Sequence, residues 1–406
     1  MKVLFLTPRL PYPPAGGDKV TVYSHIRLLS PLVESIHLLS LIEDDRETES
    51  ARAFQSEFPN LTVETIRLSR TRSRCNAVLG LAASAEPLQV HYYHSARFAR
   101  RAAELARENA FDACYAHLVR MAPYARNLPV PVKTLCMTDC LTLRYERSAP
   151  YAKGIARCIE RIERERMAAF ETRCTEDFLF SIVVTDLDRQ KLLELGARGQ
   201  IVVIPFGVDL GMFCPEESER RDSDTVVFLG NLHSAPNRDA VRYFVDTIWP
   251  RIRKRKPSAR FIIVGVNAPS WIQRLHGKKG IEVAGAVADV RPFLRRAACT
   301  VCPMRIGAGI QTKNLESLAL KTPVVSTTVG FEGLEAQEGE GVLVADSPQE
   351  FADRVLLVLT DSGQRTRLGE AGRRIIEERY DWNTRAQALY SLLSGKLPGT
   401  GVGQAP

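Results

Sequence analysis

The stretch from Pro303 to Glu316 carries side chains suited to holding a phosphorylated ligand. Gly307 and Gly309 sit between the cations Arg305 and Lys313, and a backbone without side chains lets a ligand come close. Ile310, Gln311 and Thr312 then lead into the helix-like Ser317-Leu318-Ala319-Leu320. The amide groups of a new helix start attract anions, and Arg305 and Lys313 add fixed charge for phosphate oxygens. Glu316, one turn further on, offers acceptor oxygens matched to the paired hydroxyls of a ribose. Two glycines alone would mark only a turn. With both cations and the carboxylate in register, the window reads as a site for a diphosphate and its ribose.

A strand must deliver this loop, and the apolar run Cys299 to Cys302 precedes it. In open parallel sheets ligands bind beyond the carboxyl ends of strands. Short apolar runs alternate with amphipathic stretches along the whole chain, which predicts an α/β fold of parallel βαβ units. The first half offers strands at Val3 to Leu6, Ser35 to Leu41, Leu61 to Ile66, Ala113 to Ala116, Lys133 to Met137, Ser181 to Val184 and Ile201 to Ile204. The second offers Val226 to Leu229, Arg260 to Val264, Ile281 to Ala284, Cys299 to Cys302, Pro323 to Ser326 and Gly341 to Val344. The break at Pro205-Phe206-Gly207 divides the chain into an N-terminal domain, 1–205, and a C-terminal domain, 206–380. Pro215 to Asp224 reads as a polar surface linker. A helix within 381–394 is expected to pack back on the N-terminal domain, and 395–406 to be a flexible tail.

Composition sets outer bounds. With 406 residues, 45% hydrophobic and 25% charged, the chain suits two globular domains rather than a disordered or collagen-like protein. The opening apolar run is too short for a signal peptide, and no stretch has the length of a membrane span. Nine scattered cysteines argue for reduced thiols and a cytoplasmic setting. Cys299 and Cys302 have CxxC spacing but fall in a strand-like run, where they point to opposite faces, so buried thiols are expected. The net charge of +8 suits an anionic partner, while no nucleic-acid-binding module is present and no nucleic acid is expected. Gly16-Gly17 lies too far beyond the first strand, and lacks the further glycine series, for a nicotinamide fingerprint.

Several windows, in order along nearly the whole chain, resemble the family-four retaining glycosyltransferases. They are Arg305 through Glu316-Ser317-Leu318-Ala319 to Pro323-Val324-Val325, then Ile204-Pro205-Phe206-Gly207-Val208-Asp209 with Phe213, and Tyr380-Asp381-Trp382. Within that family the sequence is most similar to sugar transferases associated with PEP-CTERM/exosortase exopolysaccharide loci. That likeness rests on Leu6 to Pro14 before Gly16-Gly17-Asp18-Lys19, on Asn231 with Pro236 to Ala240, and on Arg305-Ile306. The resemblance implies the GT-B architecture, two Rossmann-like domains facing across a cleft, and retaining transfer from a nucleotide diphosphate-sugar to a hydroxyl acceptor.

It also implies roles for particular residues. The Gly16 and Gly17 amides would approach the donor. His117, ending Asp112-Ala113-Cys114-Tyr115-Ala116-His117, would lie close to the transferred sugar; otherwise it is a satisfied loop residue. Asp139 would act on the acceptor or cap a helix. Transfer would follow a front-face course needing no cofactor and no metal; Asp186-Leu187-Asp188 reads as a helix start. Two departures bear on the donor. Ala308 stands where the family often has a sugar-contacting glutamate, and Gly230-Asn231-Leu232-His233 where it commonly has Arg and Lys, which shifts phosphate charge onto Arg305 and Lys313.

The expected acceptor is a glycan or polyprenyl-linked. Arg70, Arg72 and Arg74 before Ala77 to Ala83 suit peripheral contact with anionic lipid at the inner face of the cytoplasmic membrane, or an ordinary helix with a charged start. Two other readings remain, a nucleotide-sugar epimerase on the same scaffold and a non-catalytic nucleotide-binding protein.

Overall fold

The computed structural model describes residues 1–14, 17–151, 154–216, 220–307 and 309–398; Gly16, Ala308 and 399–406 lie outside the described residues. The chain forms two compact units, Met1–Pro205 with the segment from Asn383, and Phe206–Trp382.

The first unit is built on a parallel sheet of β1 (Lys2–Thr7), β2 (Ser35–Ile42), β3 (Leu61–Arg67), β4 (Ala113–His117), β5 (Val132–Thr138), β6 (Phe180–Val183) and β7 (Ile201–Val203). Its order is β3-β2-β1-β4-β5-β6-β7. Both faces are covered, so these strands read as continuous apolar runs rather than alternating ones. Within β1, Leu4 and Leu6 join one core while Val3 and Phe5 join the other, and β4 divides in the same way between Cys114 with Ala116 and Ala113 with Tyr115. The C-terminal helix Ala386–Leu393 completes the Val3 and Phe5 side through Leu389, Leu392 and Leu393. Each such side chain contributes ~1.5–3 kcal/mol when fully buried.

The second unit holds β8 (Asp222–Leu229), β9 (Arg260–Val264), β10 (Ile281–Gly285), β11 (Ala297–Cys302), β12 (Val324–Ser326) and β13 (Val342–Val344), all parallel in the order β10-β9-β8-β11-β12-β13. Phe244, Trp249 and Phe261 pack one face, with the Phe244 and Phe261 rings 4.6 Å apart. The strand β8 starts at Asp222, inside the stretch read as a linker. Arg221 is pinned just before it, donating to the carbonyls of Arg295 and Ala297 at 3.0 Å, to Leu320 O at 2.6 Å and to Thr322 Oγ1 at 2.7 Å. Polar residues that satisfy carbonyls at a sheet margin have no apolar periodicity, so they look like linker in the sequence.

Cys299 and Cys302 are both buried, and burial raises both thiols. Among the described residues no helix is long and apolar enough to cross a membrane.

In each sheet the strand order reverses once, between β1 and β4 and between β8 and β11. Loops leaving the carboxyl ends of such a pair diverge to opposite faces and open a crevice between them.

Candidate functional site

In the second unit the β8/β11 switch point receives the loop after β11 and the helix Thr312–Ala319. Gly309 has φ +69°, a conformation that favours glycine. Gly307 has room to spare, since a Cβ there would meet nothing closer than Gln311 Nε2 at 3.6 Å. No side chain caps the helix N-terminus at Gln311. Ile310 is buried beneath the loop, while Gln311, Thr312, Lys313 and Glu316 are half-buried.

The helix Ala235–Tyr243 holds both cations of this loop. Arg305 donates from Nε to Asp239 Oδ2 at 3.0 Å and from Nη2 to Oδ1 at 2.5 Å, and its guanidinium lies 4.7 Å from the Tyr243 ring centroid. The positive charge expected to face a phosphate is therefore already balanced by a carboxylate. Lys313 differs. Its Nζ donates to Asn237 Oδ1 at 2.8 Å, contacts Met304 Sδ at 3.6 Å and lies 4.8 Å from the Phe228 ring, all neutral partners. Burial lowers its pKa, while Cys302 and Glu316 oppose that. Asn237 in turn donates to Asn231 O at 3.0 Å and packs on Gly230, where a Cβ would come within 2.9 Å of its Nδ2. Glu316 is pushed up to about 7 by burial, against the pull of Lys313. Its carboxyl group has no hydrogen-bond partner among the described residues and is open to a donor. A neighbouring hollow beyond β9 and β10 is lined by Gly265, Asn267, Gln273, His276 and Gly285.

In the first unit His117 ends β4 at the β1/β4 switch point and is 2% exposed. Neither ring nitrogen makes a hydrogen bond of good geometry, although the Asp18 backbone lies beside the ring and favours its protonated form. Burial lowers it to about 4, with Asp18 opposing and Arg120 adding to the shift, so the ring is neutral at pH 7. Gly17 begins the helix Gly17–Leu29. Its neighbour Asp18 accepts from Arg9 Nη1 at 3.4 Å, and Arg9 Nη2 donates to Tyr93 OH at 3.3 Å. Arg120 lies 4.6 Å over the same Tyr93 ring.

Asp139 follows β5, half-buried. It does not cap the helix Leu141–Ser148, which corrects that alternative. Glu171 takes the amides of Leu141 at 2.7 Å and Thr142 at 3.1 Å, and Asp188 takes that of Cys140 at 2.8 Å. Asp139 Oδ1 is left buried without a partner. Burial first, then Asp188 and Glu171, raise Asp139 to about 8, with Arg144 opposing. Asp186–Glu194 is a helix whose Thr185 cap accepts from the Asp188 amide. Among the described residues no group of three or more His, Cys, Asp and Glu side chains is placed to hold a metal ion.

Sequence reasoning named Asn237, Asp239, Arg9 and Asp18 without roles and passed over Tyr93, Arg120 and Glu171. Only the position of Arg120 shortly after a strand end could have singled it out.

Two Rossmann-like parallel-sheet domains in series define the GT-B class of fold. The chain superposes on Anabaena Alr3699/HepE, solved in complex with UDP, with a TM-score of 0.69 and 15% identity over 97% of this chain and 100% of that one. Residues 223–361, within the second unit, match the family of glycosyl transferases group 1. D-inositol 3-phosphate glycosyltransferase of Kineococcus radiotolerans is 27% identical over 244 residues, covering 50% of this chain and 54% of that protein. An uncharacterized 44.6 kDa protein in the cps region of Klebsiella pneumoniae is 27% identical over 141 residues, covering 32% of this chain and 36% of that protein. The matches thus span about half or less of each curated relative's length.

Proposed function

We propose that the chain is a retaining glycosyltransferase, moving a sugar from a nucleotide diphosphate-sugar to a hydroxyl of a glycan or polyprenyl-linked acceptor in exopolysaccharide or other cell-surface glycan assembly. One observation carries this reading. Lys313, hydrogen-bonded to neutral groups only, and Glu316, with an open carboxyl group, share the start of one helix at the switch point of the region that matches the group 1 family. Lys313 with the loop amides suits the diphosphate, Glu316 the ribose, and the hollow beyond β9 and β10 the base. HepE was solved with UDP, and the Klebsiella relative is described from a cps region, which favours a nucleotide-sugar donor and a surface polysaccharide. The likeness to exosortase-associated transferases belongs to the same reading.

In the reaction the bond from the anomeric carbon to the diphosphate oxygen breaks and a bond to the acceptor oxygen forms on the same face. The acceptor proton passes to the departing diphosphate. Lys313 steadies the charge that develops there. Neutral His117 hydrogen-bonds a hydroxyl of the transferred sugar. Val78 and Leu79, 70% and 68% exposed on the helix Arg70–Ala83 beside Arg72 and Arg74, support peripheral membrane contact. Arg70 is instead paired with Glu43.

The test is transfer from labelled nucleotide-sugars with the product anomer assigned by NMR. Retention is expected, with His117→Ala lowering turnover far more than donor affinity. Conversion of the donor without an acceptor would mean an epimerase, and an inverted product would overturn the retaining course.

A further inference from the structure

We infer that the first unit holds an anion subsite at the β1/β4 switch point, centred on Arg120 with Arg9 and Arg144, that binds the phosphate of a phosphorylated acceptor. This rests on the transferase reading and narrows its acceptor class.

Arg120 lies in the turn Val119–Met121 that follows β4. No described carboxylate comes within ion-pair distance of its guanidinium. Its partners are neutral: Nη1 donates to Gln89 Oε1 at 3.2 Å, the group stacks on Tyr93, and Nε is buried with nothing to donate to. A cation taken out of water is normally paired, so one left unpaired is an open demand for an anion. Its surroundings are unfavourable in the same sense. Burial, then Arg9 and Arg144, weaken its protonation, with only Tyr93 and Asp18 against them.

Arg9 donates to the hydroxyl of the same tyrosine, so one side chain holds two guanidinium groups. Among the described residues Asp18 is the carboxylate in ion-pair contact with the cluster, through a long contact of 3.4 Å to Arg9, with Glu43 acting on Arg9 from further away. Asp139 faces Arg144 but is held in its neutral acid form near pH 7, so it removes little of that charge. The His117 ring, beside the Asp18 backbone and without a hydrogen bond of good geometry, adjoins the same group and is 2% exposed.

Two guanidinium groups on one tyrosine, with Arg144 near enough to act on Arg120 electrostatically, suit an oxyanion with several oxygens, since each fork can take two. A phosphate monoester and a prenyl-linked diphosphate both present that chemistry.

The experiment uses the full chain carrying Lys313→Ala to weaken the donor's diphosphate site. Inorganic phosphate, glycerol 1-phosphate and a short-chain prenyl diphosphate are titrated by 31P NMR. Binding of phosphate should persist in Lys313→Ala and fall at least tenfold when Arg120→Met is added, with Arg120→Lys intermediate. Uridine binding and the thermal midpoint, unchanged by Arg120→Met, show that the fold is intact. Tighter binding of the prenyl diphosphate than of glycerol 1-phosphate marks a lipid-linked acceptor, and equal binding a free phosphorylated one. Phosphate binding unaffected by Arg120→Met, or abolished by Lys313→Ala alone, overturns the subsite. Transfer to phosphorylated and neutral acceptors is measured in parallel with the parent chain, in which Lys313 is intact. Arg120-dependent phosphate binding with no transfer to any acceptor would sink the transferase reading alone, and transfer without that binding would sink the subsite alone.

Discussion

Asp239 and Arg305, 66 residues apart, meet through two parallel hydrogen bonds of 3.0 and 2.5 Å at the switch point of the second sheet. The pair makes Arg305 a braced group rather than an open cation and leaves Lys313 as the side chain of this loop whose positive charge has only neutral hydrogen-bond partners.

The brace predicts coupling. Arg305→Ala and Asp239→Ala should each destabilise the second unit, and the double mutant should cost less than their sum by ~1–3 kcal/mol. Chemical denaturation of the four proteins measures this. Additive losses would show that the two side chains act separately.

Lys313 and Glu316 are assigned to different parts of one ligand, so their mutants should differ. Lys313→Ala removes a charge-assisted contact of about 1.5–3 kcal/mol, with a larger loss for nucleoside diphosphate than for nucleoside. Glu316→Gln should weaken both alike and discriminate less against the 2′-deoxy analogue. Calorimetric titration separates the two, and an equal loss of nucleoside and diphosphate in Lys313→Ala would refute the phosphate assignment.

Two glycines beside this loop should respond in opposite ways. A Cβ on Gly330 would lie 2.5 Å from Ser326 Oγ and 2.6 Å from Cys302 O, so Gly330→Ala should destabilise the fold by ~1–3 kcal/mol. Gly307→Ala meets only ordinary contacts from 3.6 Å outward, so it should leave the thermal midpoint in place while weakening the nucleoside diphosphate. A stable Gly330→Ala, or a Gly307→Ala that binds like the parent, contradicts the respective half.

The buried acids predict a slope of stability with pH. Asp139 is raised from 3.8 to about 8 and Glu171 from 4.5 to about 7, both chiefly by burial. The folded state then binds more protons than the unfolded one between those values. Stability is fully present below the unfolded pKa and falls as pH rises through the folded one. Below about pH 6.5 the histidines buried as neutral rings, His25 and His117, oppose this slope, so thermal midpoints should drop from about pH 6.5 to about pH 8, and Asp139→Asn should flatten the drop. A parent profile that rises over this range would reverse the sign and refute the assignment.

The sequence by itself determined the strands, because a strand buried on both faces is a local apolar run. Val3 to Leu6 lies inside Lys2–Thr7, and Arg260 to Val264 coincides with β9. It also brought Gly307, Gly309, Lys313 and Glu316 into one window, since one loop and one helix start carry them all. Tertiary structure alone decided what each charge faces. Lys313 finds Asn237 across 76 residues, Arg9 finds Tyr93 across 84, and Arg221 finds Leu320 across 99. Those meetings follow from strand order, which places β8 beside β11 and β1 beside β4, and strand order leaves no mark in local periodicity. Hence the glycine loop proposed for phosphate was legible in outline, while the neutralised Arg305, the failure of Asp139 to cap its helix and the unpaired Arg120 emerged only once the chain was folded.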